Sequence, residues 1–186
     1  PEPYEFTGKD KSSHTFQASF MKPGFYWIEA IDEENGFHAL SNPVQIFDED
    51  PGKRLYWGDL HIHTEMSSDA RSDAHTTSTY EGSYLIGRYR YALDFQANTE
   101  HHGLSDMDYN AAHWEEMKAI TNRANDPGKF VTLVANEISH GLGDQNVYFP
   151  SDDAPFLLTE GKNHPYDLWE ILEDYECFAV PHHVAQ

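Results

Sequence analysis

Four apolar runs in this chain each end in a histidine or an acid. Residues 55–63 read LYWGDLHIH, 93–102 read LDFQANTEHH, 131–137 read VTLVANE, and 177–183 read CFAVPHH. Each has the length and composition of a strand. Between them lie TYEGSYLIGRYRYA (79–92), DMDYNAAHWEEMKAITNRAND (106–126) and HPYDLWEILEDY (164–175), all with helical character. In the second of these, Tyr109, Ala112, Met117, Ile120 and Ala124 form an apolar stripe, and Asp106 or Asp108 can cap its start. In the third, Leu168, Ile171 and Leu172 point inward. Alternating strands and helices predict a parallel sheet with crossover helices. In such folds the functional residues sit at the C-terminal ends of the strands. Here those ends carry Asp59, His61 and His63; Glu100, His101 and His102; Glu137; and His182 and His183.

The first fifty residues follow another rhythm. HTFQASF, GFYWIEAID and NPVQIFD are short aromatic or β-branched runs, punctuated by KPG, EENG and SNP. They predict an all-β segment over 1–50, with a hairpin at EENG. FDEDPGK marks the boundary to a second segment over 51–186. FDEDPG itself lacks the ligand spacing of a calcium loop.

Composition narrows the choices. Of 186 residues, 39% are hydrophobic and 14% aromatic, enough for a packed core. The net charge of −20 repels phosphate backbones and anionic membranes, so no nucleic-acid partner is expected. No apolar run is long enough for a membrane span. Cys177 is the single cysteine, which excludes an intrachain disulfide and a cysteine-rich zinc site. A soluble protein is expected, with the compartment, periplasmic or secreted included, left open. Histidine is unusually abundant: 12 residues against 12 lysines and arginines together. Six of them fall in the pairs named above.

In a strand, residues i and i+2 share a face, so His61 and His63 project together. Two such imidazoles can chelate one metal ion. With Asp and Glu as the other donors and no thiolate, the set suits Zn, Mn or Fe. It exceeds what one four-coordinate ion uses, and Glu137 can bridge two. A multinuclear centre acidifies a water and clamps the attacking and leaving oxygens of a displacement at phosphorus. The expected activity is therefore a metal-dependent phosphoesterase on a small organic phosphate, with a metal-activated hydroxide as nucleophile. Metal-dependent amide or lactone hydrolysis stands behind it. Arg71 can pin a substrate phosphate bidentately, against the plain reading of a solvated arginine. A different class also fits the residues: a non-catalytic carbohydrate- or surface-binding module with structural metals, using the aromatic N-terminal region. His75, His113, His140 and His164 read as surface residues, with His140 of interest for its closeness to Glu137.

DLHIHTEMSSDA, LDFQANTEHH, VANEIS and FAVPHH, in that order, resemble the polymerase and histidinol phosphatase (PHP) superfamily. The likeness is greatest to a large branch with an N-terminal β-region. It implies part of a distorted (β/α)7 barrel, an α/β fold, holding up to three divalent metals. It implies that His61 and His63 bind a first metal, bridged by Glu137 to a second that His182 or His183 completes. Asp69 and His101 would bind a third. Glu100 stands where that family usually has Asp, and Glu100 and His101 are the residues expected to serve the chemistry as well as the metals. Asp144, in GLGDQNVYF, stands where the family has His and keeps a ligand atom. The family's closing Asp-x-His is absent after His183, and four strands are too few to close a barrel. The expectation is a domain truncated at its C-terminus.

Overall fold

The computed structural model describes residues 3–10, 14–72, 78–102, 110–140, 142–157 and 165–183. The chain divides into two compact units, Pro1–Arg54 and Leu55–Gln186.

The first unit holds two antiparallel pairs. β1 (Gly24–Tyr26) pairs with β4 (Val44–Ile46), and β2 (Glu29–Asp32) pairs with β3 (Phe37–Leu40). The β2–β3 turn is the expected EENG hairpin. Asp32 accepts from the backbone N–H of Asn35 at 3.1 Å, and Gly36 takes φ +70°, a conformation a side chain would resist. GFYWIEAID splits into β1 and β2 because Ile28 turns aside: its N–H donates to Ser41 Oγ and its carbonyl accepts from Ser41 N–H. The run HTFQASF forms no strand over 14–20.

The second unit is built on a sheet of order β10-β9-β8-β6-β5, with β7 also paired to β8. The strands are β5 (Gly58–Ile62), β6 (Phe95–Asn98), β7 (His101–His102), β8 (Val131–His140), β9 (Gly143–Phe149) and β10 (Phe178–His182). β5, β6, β7 and β8 are parallel, but β9 runs antiparallel to β8, and β10 antiparallel to β9. This overturns the expected (β/α)7 barrel segment: the unit is a mixed, curled sheet with few helices. β9 ends in NVYF (146–149). It returns directly from β8 instead of through a helix, because Gly143 at φ +117° allows the reversal. Two reversals restore the original direction. The C-terminal end of β10 therefore lies at the same edge as those of β5, β7 and β8.

The helices are α1 (Ser68–Ser72), α2 (Tyr80–Leu85), α3 (Ala111–Ala124) and α4 (Pro165–Leu172). α2 runs into a π-helical turn, Ile86–Arg90. α3 is capped by Asn110, which accepts from the N–H of Ala112 and His113; Asp106 and Asp108 lie outside the described residues. Its buried line is Trp114, Met117 and Thr121, with Ile120 and Ala124 at the margin and Ala112 exposed. No helix among the described residues is long and apolar enough to cross a membrane.

One face of the sheet carries the main core. Val134 and Ile138 of β8 and Val147 and Phe149 of β9 pack with Tyr84, Trp114, Met117, Leu168 and Leu172 from the helices. The opposite face holds a smaller cluster of Ala97, Ala135 and Tyr148 with Leu60 and Leu133. Glu137 belongs to this second face by its alternation with Ala135. A buried polar network braces β6 against α2: Gln96 Nε2 donates to Asn98 Oδ1 at 2.9 Å, and Asn98 Nδ2 to Ser83 Oγ at 2.6 Å. Gly87 lies against it, and a Cβ there would fall 1.8 Å from Gln96 Oε1. Gly87→Ala should therefore destabilise the fold by about 1–3 kcal/mol, the cost of overpacking a buried site. The urea midpoint measures it, and an unchanged midpoint would show that the network yields freely.

Candidate metal centre

β5 is irregular where it matters. Its register with β6 shifts between Asp59 and Ile62, and Asp59 Oδ1 accepts from the N–H of His61 at 3.0 Å. His61 and His63 leave this bulge with ring centroids 4.7 Å apart. Both reach one carboxylate on β8: His63 Nε2 is 2.7 Å and His61 Nε2 3.7 Å from Glu137 Oε2. His101, directly across the ladder from Glu137, brings Nδ1 to 3.7 Å of the same oxygen. His182, at the end of β10, brings Nε2 to 3.7 Å of Glu137 Oε1.

Glu137 is fully buried, yet neither of its oxygens accepts a well-aligned hydrogen bond from a described residue; the 2.7 Å approach of His63 Nε2 is too far off line. His63 Nε2 and His101 Nδ1 are likewise buried without a hydrogen bond. Buried acceptors and ring nitrogens that face one another unpaired are what a cation between them would satisfy. Among the described residues, three groups of donor atoms are close enough to share an ion: His61, Glu137 and His182; His63, Asp69 and His101; and Glu137, Asp144 and His183. The donor set fits a divalent metal, and buried Glu137 with its histidines forms a metal-binding site in outline.

Asp69 enters from the first turn of α1. Its carboxylate lies 2.9 Å from His63 Nδ1 and 3.6 Å from His101 Nε2, so His63 is held between two acids. Both His182 and His183 reach the centre, in different groups. His183 does so by adopting φ +51°, a strained turn for a residue with a side chain. Its backbone lies close to Gly143: a Cβ on Gly143 would stand 2.6 Å from the His183 carbonyl oxygen.

Glu100 belongs to none of the groups. Its carboxylate accepts from the N–H of Thr64 at 3.0 Å and from Ser67 Oγ at 2.6 Å, while Ser67 Oγ accepts from the N–H of His101. It braces the loop that leads into α1 and so fixes where Asp69 stands. Burial pushes its carboxyl upward, against the pull of these donors. Arg71 donates Nη1 to the carbonyls of Glu65 and Met66. His140 Nδ1 accepts from the N–H of Leu142 at the β8–β9 turn, and His113 lies on α3; neither joins a group. His75 and His164 lie outside the described residues.

The charges are arranged unevenly. Burial alone would raise the Glu137 carboxyl, but His63 and His101 beside it prevail and hold it low. Burial would lower His63, but Glu137 and Asp69 outweigh it, so His63 keeps its proton to higher pH than usual. For His61 burial wins, aided by repulsion from His63 and His182, and its pKa falls.

Sequence reading missed Thr64, Ser67, Thr99, Gly143 and Asn146. Asn146 carried a signal: read as one strand from Gly143, GDQNVYF puts Asp144 and Asn146 on one face, and Asn146 pairs opposite Glu137.

A family model described as a protein of unknown function (DUF3604) matches residues 50–93 and 91–185, most of the chain. No curated protein and no solved structure matches it.

Two outcomes are expected of the metal-free chain. A cation must displace the proton on His63, whose pKa is raised, so affinity for Zn²⁺ or Mn²⁺ should fall as pH drops through that raised value. Calorimetry in buffers of different ionisation enthalpy should show proton release on binding; proton-neutral binding would contradict it. Gly143→Ala should displace His183 and lower metal stoichiometry, read by elemental analysis, while leaving the β5–β6–β8 ladder folded by circular dichroism.

Proposed function

The chain belongs to the DUF3604 family, and for it we propose a metal-dependent hydrolase, acting as a phosphoesterase on a small organic phosphate. The observation that carries this reading is Glu137: a buried carboxylate whose oxygens accept no well-aligned hydrogen bond from a described residue, ringed by His61, His63, His101 and His182. The order of motifs that resembles the PHP superfamily supports the same reading.

His61, Glu137 and His182 would hold one metal, His63, Asp69 and His101 another, and Asp144 and His183 would draw on Glu137 for a third. Bound there, divalent ions supply an acidified water and draw negative charge off phosphoryl oxygens. The chain's own groups do the rest. Glu137 stays ionised at neutral pH because His63 and His101 hold its pKa low, so its charge is ready to be shared between donor groups. Asp69 and Glu137 orient the His63 ring from its two nitrogens. Glu100 serves as a brace in this scheme, holding Thr64 and Ser67 so that His63, Asp69 and His101 converge. Arg71 is tied to backbone carbonyls and stiffens the same loop.

The test is turnover of p-nitrophenyl phosphate after chelation and reloading with Mn²⁺, Zn²⁺ or Fe²⁺, with an amide and lactone panel in parallel. Phosphate release dependent on added metal is expected. Glu137→Gln keeps the shape but removes the charge, and should abolish bound metal and cut the rate by about 10²-fold or more, given that the whole site is organised on it. Normal metal content in that variant would sink the assignment, and amide or lactone turnover without phosphate release would move the reading to another hydrolase class.

A further inference from the structure

We infer that Asn146 is a positioning residue that sets the tautomer of His61 and thereby makes its Nε2 available to a cation. The inference rests on the reading of His61 as a ligand. His61 Nε2 lies 3.7 Å from Glu137 Oε2, and His61 shares a donor group with Glu137 and His182. Only a ring nitrogen without a proton can give its lone pair to a metal, so ligation through Nε2 requires the proton on Nδ1.

Nδ1 has two polar neighbours. The Asn146 amide lies 2.7 Å away and Thr99 Oγ1 3.2 Å away. As placed, Asn146 presents its NH₂ to Nδ1, which makes Nδ1 an acceptor and puts the proton on Nε2, against ligation. The same placement leaves Asn146 Oδ1 buried with no hydrogen-bond partner among the described residues. Asn146 is 4% exposed, so water does not relieve that oxygen readily. A half-turn of the amide removes both conflicts at once. Its oxygen then accepts from Nδ1–H, and Nε2 is left bare. The strand register supports the move: Asn146 stands directly opposite Glu137 on β8, whose oxygens accept no well-aligned hydrogen bond from a described residue, so an added donor on this face meets acceptors that lack one. Thr99 adds a hydroxyl that serves either tautomer and so cannot choose between them. Asn146 can choose, because its oxygen and nitrogen are not interchangeable.

The experiment is ¹⁵N NMR of the histidine rings in the metal-free chain at a pH where His61 is neutral, with His61 assigned by the loss of its signals in His61→Gln. Wild type should show the Nδ1–H form. Asn146→Asp, which keeps an acceptor, should show it too. Asn146→Ala should shift His61 toward Nε2–H and weaken Zn²⁺ binding about 10-fold or more, as loss of an outer partner of a metal-bound histidine does. Thr99→Val should leave the tautomer unchanged. An Nε2–H ring in wild type overturns the inference, as does a tautomer switch in Thr99→Val but not in Asn146→Ala. Should Asn146→Ala fail to fold, Asn146→Asp against wild type still decides it: a switch to Nε2–H in that variant overturns the inference. The ring signals are read without metal, so wild type that shows Nδ1–H yet binds no Zn²⁺ upholds the role of Asn146 and refutes only the metal reading.

Discussion

A carboxylate taken out of water costs on the order of several kcal/mol even after the protein relaxes. Glu137 is fully buried on a sheet face and accepts no well-aligned hydrogen bond from a described residue. Everything around it answers that cost. Four imidazoles from β5, β7 and β10 turn toward its two oxygens. Each of those strands must end at the same edge for this to happen. The sheet order and direction are therefore what bring these histidines to one side chain.

Behind the ring of histidines lies a second set of residues, outside the three donor groups, that control its shape. Glu100 ties Thr64 and Ser67 to the start of β7. Asp59 holds the bulge from which His61 leaves. Gly143 leaves room for the backbone of His183. The two acids at 100 and 137 thus illustrate opposite uses of burial. One is saturated with donors and fixed in place; the other is starved of donors and dependent on cationic neighbours.

Much of the candidate site was legible because strand ends are written in local sequence. His61, His63, His101, Glu137 and His182 follow apolar runs, and a strand that leaves the core exposes its next residues wherever the sheet goes. Asp69 and Asp144 came from resemblance to the PHP superfamily, and the structure brings both to the centre. What the alternation could not reveal was strand direction. A run such as NVYF has the same period in a parallel or an antiparallel ladder, and the choice lay in Gly143 and the length of the connection. The barrel expectation failed there, while the convergence of the ends survived, since two reversals cancel. Asn146 was missed for a related reason: its meaning depends on which residue lies across the ladder.

The direct return from β8 to β9 also divides the centre by how far apart in sequence its parts must meet. Asp144 meets the end of β8 through a turn of a few residues, whereas His61 meets Glu137 only after two parallel pairings across long crossovers. Near-neighbour pairings close with little loss of chain entropy, and distant parallel ones are slow. By that rule the pairing that brings Asp144 to Glu137 costs less chain entropy than the pairings that bring His61 there.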